Sequence, residues 1–199
     1  NLAGANLTGA SLHRAVLTGA NFAKADLSDA NLNLTNLVDA NFSGASMSFS
    51  MLFEADASRA NFSGADLTES RIGDARLTLA NFKGANLSQA DLSGARMNNA
   101  NLSGATLDGA NLGKARLFRA DLSNIKAQSM WAVEAEFRDA NFTGAVCLQC
   151  TIYAADFANA DLTGADLTQS NLLRANLGDA VRSGTVFKGT VMPDNTVNP

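Results

Sequence analysis

Large apolar residues recur along this chain at every fifth position. Taken as centres of five-residue units, they run from Leu2 to Met192 without an insertion, and 34 of these 39 are Leu, Ile, Met or Phe. Two residues before each centre, from Ala5 to Ala180, alanine fills 29 of 36 positions. Ser, Thr, Gly, Asn, Asp and charged residues take most of the other places. A period of five matches neither the 3.6 of a helix nor the 2.0 of a long strand. It predicts a short extended piece followed by a turn, with one large and one small side chain pointing inward from each unit. One such unit cannot bury its apolar side alone, so the units must coil and stack.

A second period sets the size of the coil. Phe22, Phe42, Phe62, Phe82 and Phe142 are all centres separated by multiples of twenty, and Asn21, Asn41, Asn61, Asn81, Asn101 and Asn141 precede the centres of that column. Gly44, Gly64, Gly84, Gly104, Gly144, Gly164 and Gly184 follow two residues after them. Four units per coil place like over like, so that Phe and Asn form ladders and glycine supplies positive φ at a corner. The expected fold is all-β, a coil of parallel bridges about 45 Å long at about 4.8 Å per layer. Residues 1–192 form one repeat body and residues 193–199 a tail.

The stretch "DLSNIKAQSMWAVEAEFRDANF", Asp121–Phe142, breaks the composition but not the count. Ile125 and Met130 stand in the small slot, while Ala127 and Ala132 stand at the centres. Large and small are exchanged, interior volume is roughly kept, and register resumes at Phe137. The expectation is a swapped coil rather than a linker, with Ile125 and Met130 buried and Trp131 outward.

The consensus A-(D/N)-L-x-x, as in "ADLTGADLTQ" and "ANLSQADLSGA", resembles the pentapeptide-repeat family from residue 1 to about residue 192. The resemblance implies a right-handed quadrilateral β-helix. It also implies a non-enzymatic protein that presents flat faces to a protein partner, as a structural or interaction scaffold. The ending "TVMPDNTVNP" is similar to the "MPDG" endings of cyanobacterial members, with Asn195 in place of Gly. Cytoplasm, periplasm and thylakoid lumen are the compartments the resemblance leaves open. An alternative within the family is a DNA mimic that binds DNA gyrase, of the quinolone-resistance type. Those members carry a strongly acidic surface and a C-terminal dimerisation element. Here the net charge is only −4 and the C-terminus has no helix pattern.

Candidate chemistry is sparse. The sole histidine, His13, is outward with no Cys or second His near it in sequence, so no metal site is expected. Carboxylate pairs recur only because the repeat recurs, and they carry no sign of catalysis. No cofactor, direct nucleic-acid contact or membrane span is expected. Cys147 and Cys150 form a C-x-x-C, but both fall at inward positions. Two buried thiols are expected there, with a corner-spanning disulfide as the alternative.

The surface offers two candidates for partner binding. Arg76, Arg96 and Arg116 lie twenty apart with Asp56 below and Glu136 above, and Lys114 and Arg119 enlarge this zone. Such a ladder holds an anion or an acidic partner, or else is three solvated arginines that repel weakly. On another face Val133, Tyr153 and Leu173 share an outward column beside Trp131, with Leu148 adjoining and Met51, Phe53 and Phe49 lower down. That apolar cluster marks a contact site, or else local packing over the swapped coil. At the ends, the chain opens on Asn1 already in register, which leaves a removed leader or missing N-terminal residues open. Leu2, Leu7, Leu12 and Leu17 are expected to need a cap or a second copy, giving a homodimer. Arg182, Pro193 and Pro199 are expected to close the other end.

Overall fold

The computed structural model describes residues 1–199. Parallel bridges link each residue before a centre to the one twenty positions on, from Asn6↔Asp26 through to Asn171↔Val191. The result is an all-β right-handed square rod with four units per coil. The centres and small slots between Phe22 and Ala175 merge into one continuous apolar core. Phe22, Phe42, Phe62 and Phe82 stack face to face, with centroids 4.9, 5.0 and 4.8 Å apart. A second aromatic cluster lies higher in the rod, where Phe157 stacks on Phe137 at 4.9 Å and Phe142 meets Phe137 edge-on.

The residue before each centre explains the Asn/Asp preference of the repeat. Its side-chain oxygen accepts the amide two residues on, as in Ser43 N to Asn41 Oδ1 at 3.1 Å, which fixes the turn. In the Asn column the free NH2 also reaches down to the coil below: Asn41 to Asn21, Asn61 to Asn41, and Asn81 to Asn61, at 3.2, 3.3 and 3.2 Å. Aspartate in this position gains hydrogen bonds from the following hydroxyl. Ser28 and Thr163 thereby hold the Asp26 and Asp161 carboxyls below the usual carboxylate range.

Glycine was expected at the positive-φ corner, and the requirement is broader than that. Every fifth residue from Gly4 to Gly189 has φ near +60°, including bulky Leu34, Phe49 and Leu79. The turn is closed by an amide-to-carbonyl bond across it, such as Ala45 N to Phe42 O at 3.0 Å. Its amide also bonds to the next coil, as Phe49 N does to Thr68 O at 2.9 Å. The ladder over-determines the conformation, so side chains are tolerated where glycine would be preferred.

The swapped coil is continuous with the rest. Ile125, Met130, Ala127 and Ala132 are all buried, and Trp131 is 51% exposed. What the sequence did not reveal is that the turn opens here. Residues Lys126–Gln128 (β1) and Val146–Leu148 (β2) run straight and pair in parallel, Ala127 opposite Cys147. Side chains from the coil above replace the missing turn bonds. Ser170 Oγ accepts the Cys150 amide at 3.0 Å and donates to Cys147 O at 2.7 Å. Cys150 Sγ donates to Ala127 O at 3.2 Å. Cys147 and Cys150 are free and buried. Cys147 donates its hydrogen to Cys150, and that bond together with full burial pushes the Cys147 thiol well above its usual range.

One buried hydroxyl has no partner. Ser50 Oγ is orphaned in the small slot, whereas Ser70 Oγ in the next coil donates to Leu67 O at 2.7 Å. Replacing Ser50 with Ala removes an unpaired polar atom, and the expected gain is about 1 kcal/mol. Ser70→Ala should show no such gain. Denaturant midpoints of the two variants, compared at constant slope, check this.

The tail does not simply stop the ladder. It folds back antiparallel, with Val197 opposite Val191, Met192 N bonded to Thr196 O at 2.7 Å and Asn198 N to Thr190 O at 3.0 Å. Leu177 and Phe187 stay only partly buried, so this end is covered along one side rather than closed as expected. At the other end Leu7, Leu12 and Leu17 are likewise partly buried.

Candidate partner-binding corner

Each coil has four corners, and the two surface candidates flank the same one. Its column reads Arg14, Leu34, Glu54, Asp74, Gly94, Lys114, Glu134, Ala154 and Arg174. Asn36, Asp56, Arg76, Arg96, Arg116 and Glu136 lie on one side of it, joined by successive parallel bridges. Met51, Phe53, Trp131, Val133, Tyr153 and Leu173 lie on the other. The diagonally opposite corner is mostly bare glycine, from Gly44 through Gly184. Charge and aromatic surface are thus concentrated around one edge of the rod.

Within the arginine ladder, Arg76 meets Asp56 and Arg116 meets Glu136, each at 3.8 Å and well exposed. Pairs of that kind contribute little, about 0–1 kcal/mol. Arg96 lies between two arginines and has no carboxylate within pairing distance. Beside the ladder runs an open groove of about 720 Å³, lined by Leu34, Asn36, Glu54, Asp56, Asp74, Gly94, Lys114 and the three arginines. Its lower end is acidic and its upper end basic. Lys114 belongs to it and leans toward Glu134 at 3.8 Å. Arg119 does not: it sits at the next corner, paired with Asp139 at 3.7 Å and lying over the Phe118 ring.

Sequence reasoning found the arginines but missed Glu54, Asp74 and Gly94 as their companions. Reading the corner column twenty by twenty beside the arginine column would have found them. Gly94 matters because a Cβ there would come within 2.3 Å of Asp74 Oδ1, so glycine makes room for that carboxylate.

On the aromatic side the exposed rings lie over glycines of the neighbouring coil. A Cβ at Gly73 would meet the Phe53 ring at 3.6 Å, and one at Gly113 the Trp131 indole at 3.7 Å. Val133, Tyr153 and Leu173 are half-buried, and the Arg174 guanidinium lies 5.8 Å from the Tyr153 ring centroid. Arg71, Gly73 and Asp91 separate the Phe53 patch from the Trp131 patch. His13 is exposed in the first coil, and no group of three or more metal-ligating side chains is present.

The sequence pattern named Pentapeptide repeats matches in eight copies, over residues 1–33, 20–56, 51–84, 85–124 and 155–192. The chain belongs to the pentapeptide-repeat family. The interval the matches skip, residues 125–154, contains the swapped coil, both opened turns and the Trp131 patch. Among solved structures, HetL from the cyanobacterium Nostoc sp. strain PCC 7120 is 30% identical. The alignment covers 98% of this chain and 90% of HetL, with a TM-score of 0.64. QnrB1, a plasmid-mediated fluoroquinolone resistance protein, is 18% identical over 91% of this chain and 88% of its own, with a TM-score of 0.51. At that identity the likeness to QnrB1 is one of fold. No curated protein sequence matches. No helix is long and apolar enough to cross a membrane.

Proposed function

We propose that this pentapeptide-repeat rod is a non-enzymatic scaffold that binds a protein partner along the corner between its arginine ladder and its aromatic face. One observation carries the reading: Arg96 is held between Arg76 and Arg116 with no acid of its own. Like charges at adjacent strand positions are mildly destabilising, and an acidic partner turns that cost into binding energy. Trp131 and Tyr153 around the same corner supply aromatic anchors of the kind interfaces favour. HetL, described as involved in heterocyst differentiation regulation, offers a regulatory setting for such a rod.

The gyrase-binding reading is weaker here. A DNA mimic needs continuous negative charge, and the arginine ladder interrupts it over three successive coils of one face. Full chain in a gyrase supercoiling assay should leave the reaction unchanged. For the favoured reading, immobilised chain should retain a partner from extract of its source cells. The variant Arg76→Glu/Arg96→Glu/Arg116→Glu should lose that partner, while Lys83→Glu on a remote face should keep it. Equal retention by all three proteins would contradict the proposal.

A further inference from the structure

The shape and polarity of the groove narrow the partner further. The faces of the rod have no free sheet edge, because backbone bonds run along the axis from coil to coil, as in Asp56 N to Thr35 O and Arg76 N to Ala55 O, at 3.0 and 2.9 Å. A partner strand therefore has no backbone donors or acceptors to pair with, which removes β-augmentation as a binding mode on this surface. Nucleic acid is disfavoured by Glu54, Asp56 and Asp74 at the lower end, since phosphates running along the groove would meet three carboxylates.

Spacing selects among the remaining forms. Charged side chains in the groove repeat once per coil, at about 4.8 Å. Same-face residues of an extended peptide repeat at about 6.7 Å, so three successive contacts drift about 4 Å out of step. Rows on an α-helix, three or four residues apart at about 1.5 Å per residue, repeat at about 5.4 Å. The drift over three contacts is then about 1 Å, which long arginine side chains absorb. From the layer of Asn36 to that of Arg116 the groove spans four coil steps, about 19 Å. A helix of about 13 residues covers that length.

Resting on the scaffold reading, we infer that the groove seats an α-helix of the partner protein lengthwise. Carboxylates three or four residues apart on one face of that helix meet Arg76, Arg96, Lys114 and Arg116, and a basic residue at one end meets Glu54 and Asp56. Gly94 gives the Asp74 carboxylate room beside the seat, between its acidic and basic ends.

The test uses the full chain and two synthetic fluorescent peptides of the same composition. One is a side-chain-cross-linked helix with glutamates three and four residues apart on one face and lysines at one end. The other is its isomer with D-residues at alternate positions, which cannot form a helix. Anisotropy titration at low salt should show the helix binding at least about tenfold tighter than the isomer, a difference well within what charge pairing supplies. Arg96→Glu and Arg116→Glu should each weaken it by about tenfold or more, and Lys83→Glu should leave it unchanged. All three substituted side chains are exposed, and unchanged thermal melts of the variants would establish that the fold is kept. Equal binding of both peptides, or none by either, overturns the helix seat. The scaffold reading is judged separately, by partner retention from extract.

Discussion

Phe62→Ala is expected to lower stability by about 3–5 kcal/mol, among the largest effects of any single substitution in this rod. Phe62 is fully buried and is sandwiched between Phe42 at 5.0 Å and Phe82 at 4.8 Å. Truncation therefore removes two stacking contacts as well as apolar burial. Relaxation is restricted, because the Asn61 ladder and the bonds Phe62 N to Asn81 O and Asp66 N to Ala45 O fix the walls of the cavity. Phe49→Ala is the matched control: Phe49 is 50% exposed at a corner, and its loss should change stability by less than about 0.5 kcal/mol. Guanidinium unfolding followed by far-UV circular dichroism measures both. Similar midpoints for the two variants would contradict the stacked-core description.

The second large effect concerns the exchange of large and small side chains around Ile125. Ile125→Ala alone leaves a void beside Ala127 and should cost about 2–5 kcal/mol. Ala127→Leu alone overfills the same layer and should cost about 1–3 kcal/mol. The double variant restores the ordinary arrangement of a large centre and a small slot. It should lie closer to the parent than either single variant, with a coupling energy above about 1 kcal/mol. Part of the penalty should remain, because Cys150 Sγ bonds Ala127 O in the opened turn and that contact is shaped by the swap. Additive losses in the cycle would show that Ile125 and Ala127 do not share one space.

The register of the fold was legible because its causes lie on the surface of the sequence. A twenty-residue period in Phe and Asn is itself the statement that those residues stack, and the coordinates place Phe22, Phe42, Phe62 and Phe82 in one column. The exchange at Ile125 and Met130 was legible for the same reason, since the count of five never slipped. The opened turns were not, because they depend on a side chain one coil further on: Ser170 for Cys150, and Cys150 for Ala127. No local pattern announces that a hydroxyl or thiol will displace a turn bond. Positive φ at Leu34 and Leu79 was hidden likewise, since the local preference for glycine is overruled by the ladder. The fold-back of the tail depends on Asp194 accepting the Thr196 amide at 3.0 Å and so turning the chain after Pro193. For the candidate site, the arginines could be read from one column. The groove needs the neighbouring column as well: Lys114 stands out there by its charge, but Glu54, Asp74 and Gly94 emerge only when the two columns are read side by side.

Placement of a photo-crosslinking amino acid around the four faces, in the source cells, tests the central claim most directly. Positions Arg96 and Tyr153 flank the charged corner, while Lys83 lies at the glycine corner diagonally across the rod and Ser88 at the corner after it. The account predicts a discrete crosslinked partner from the first two positions and none from the other two. Crosslinks that form equally from all four faces, or only from Lys83 and Ser88, would contradict it.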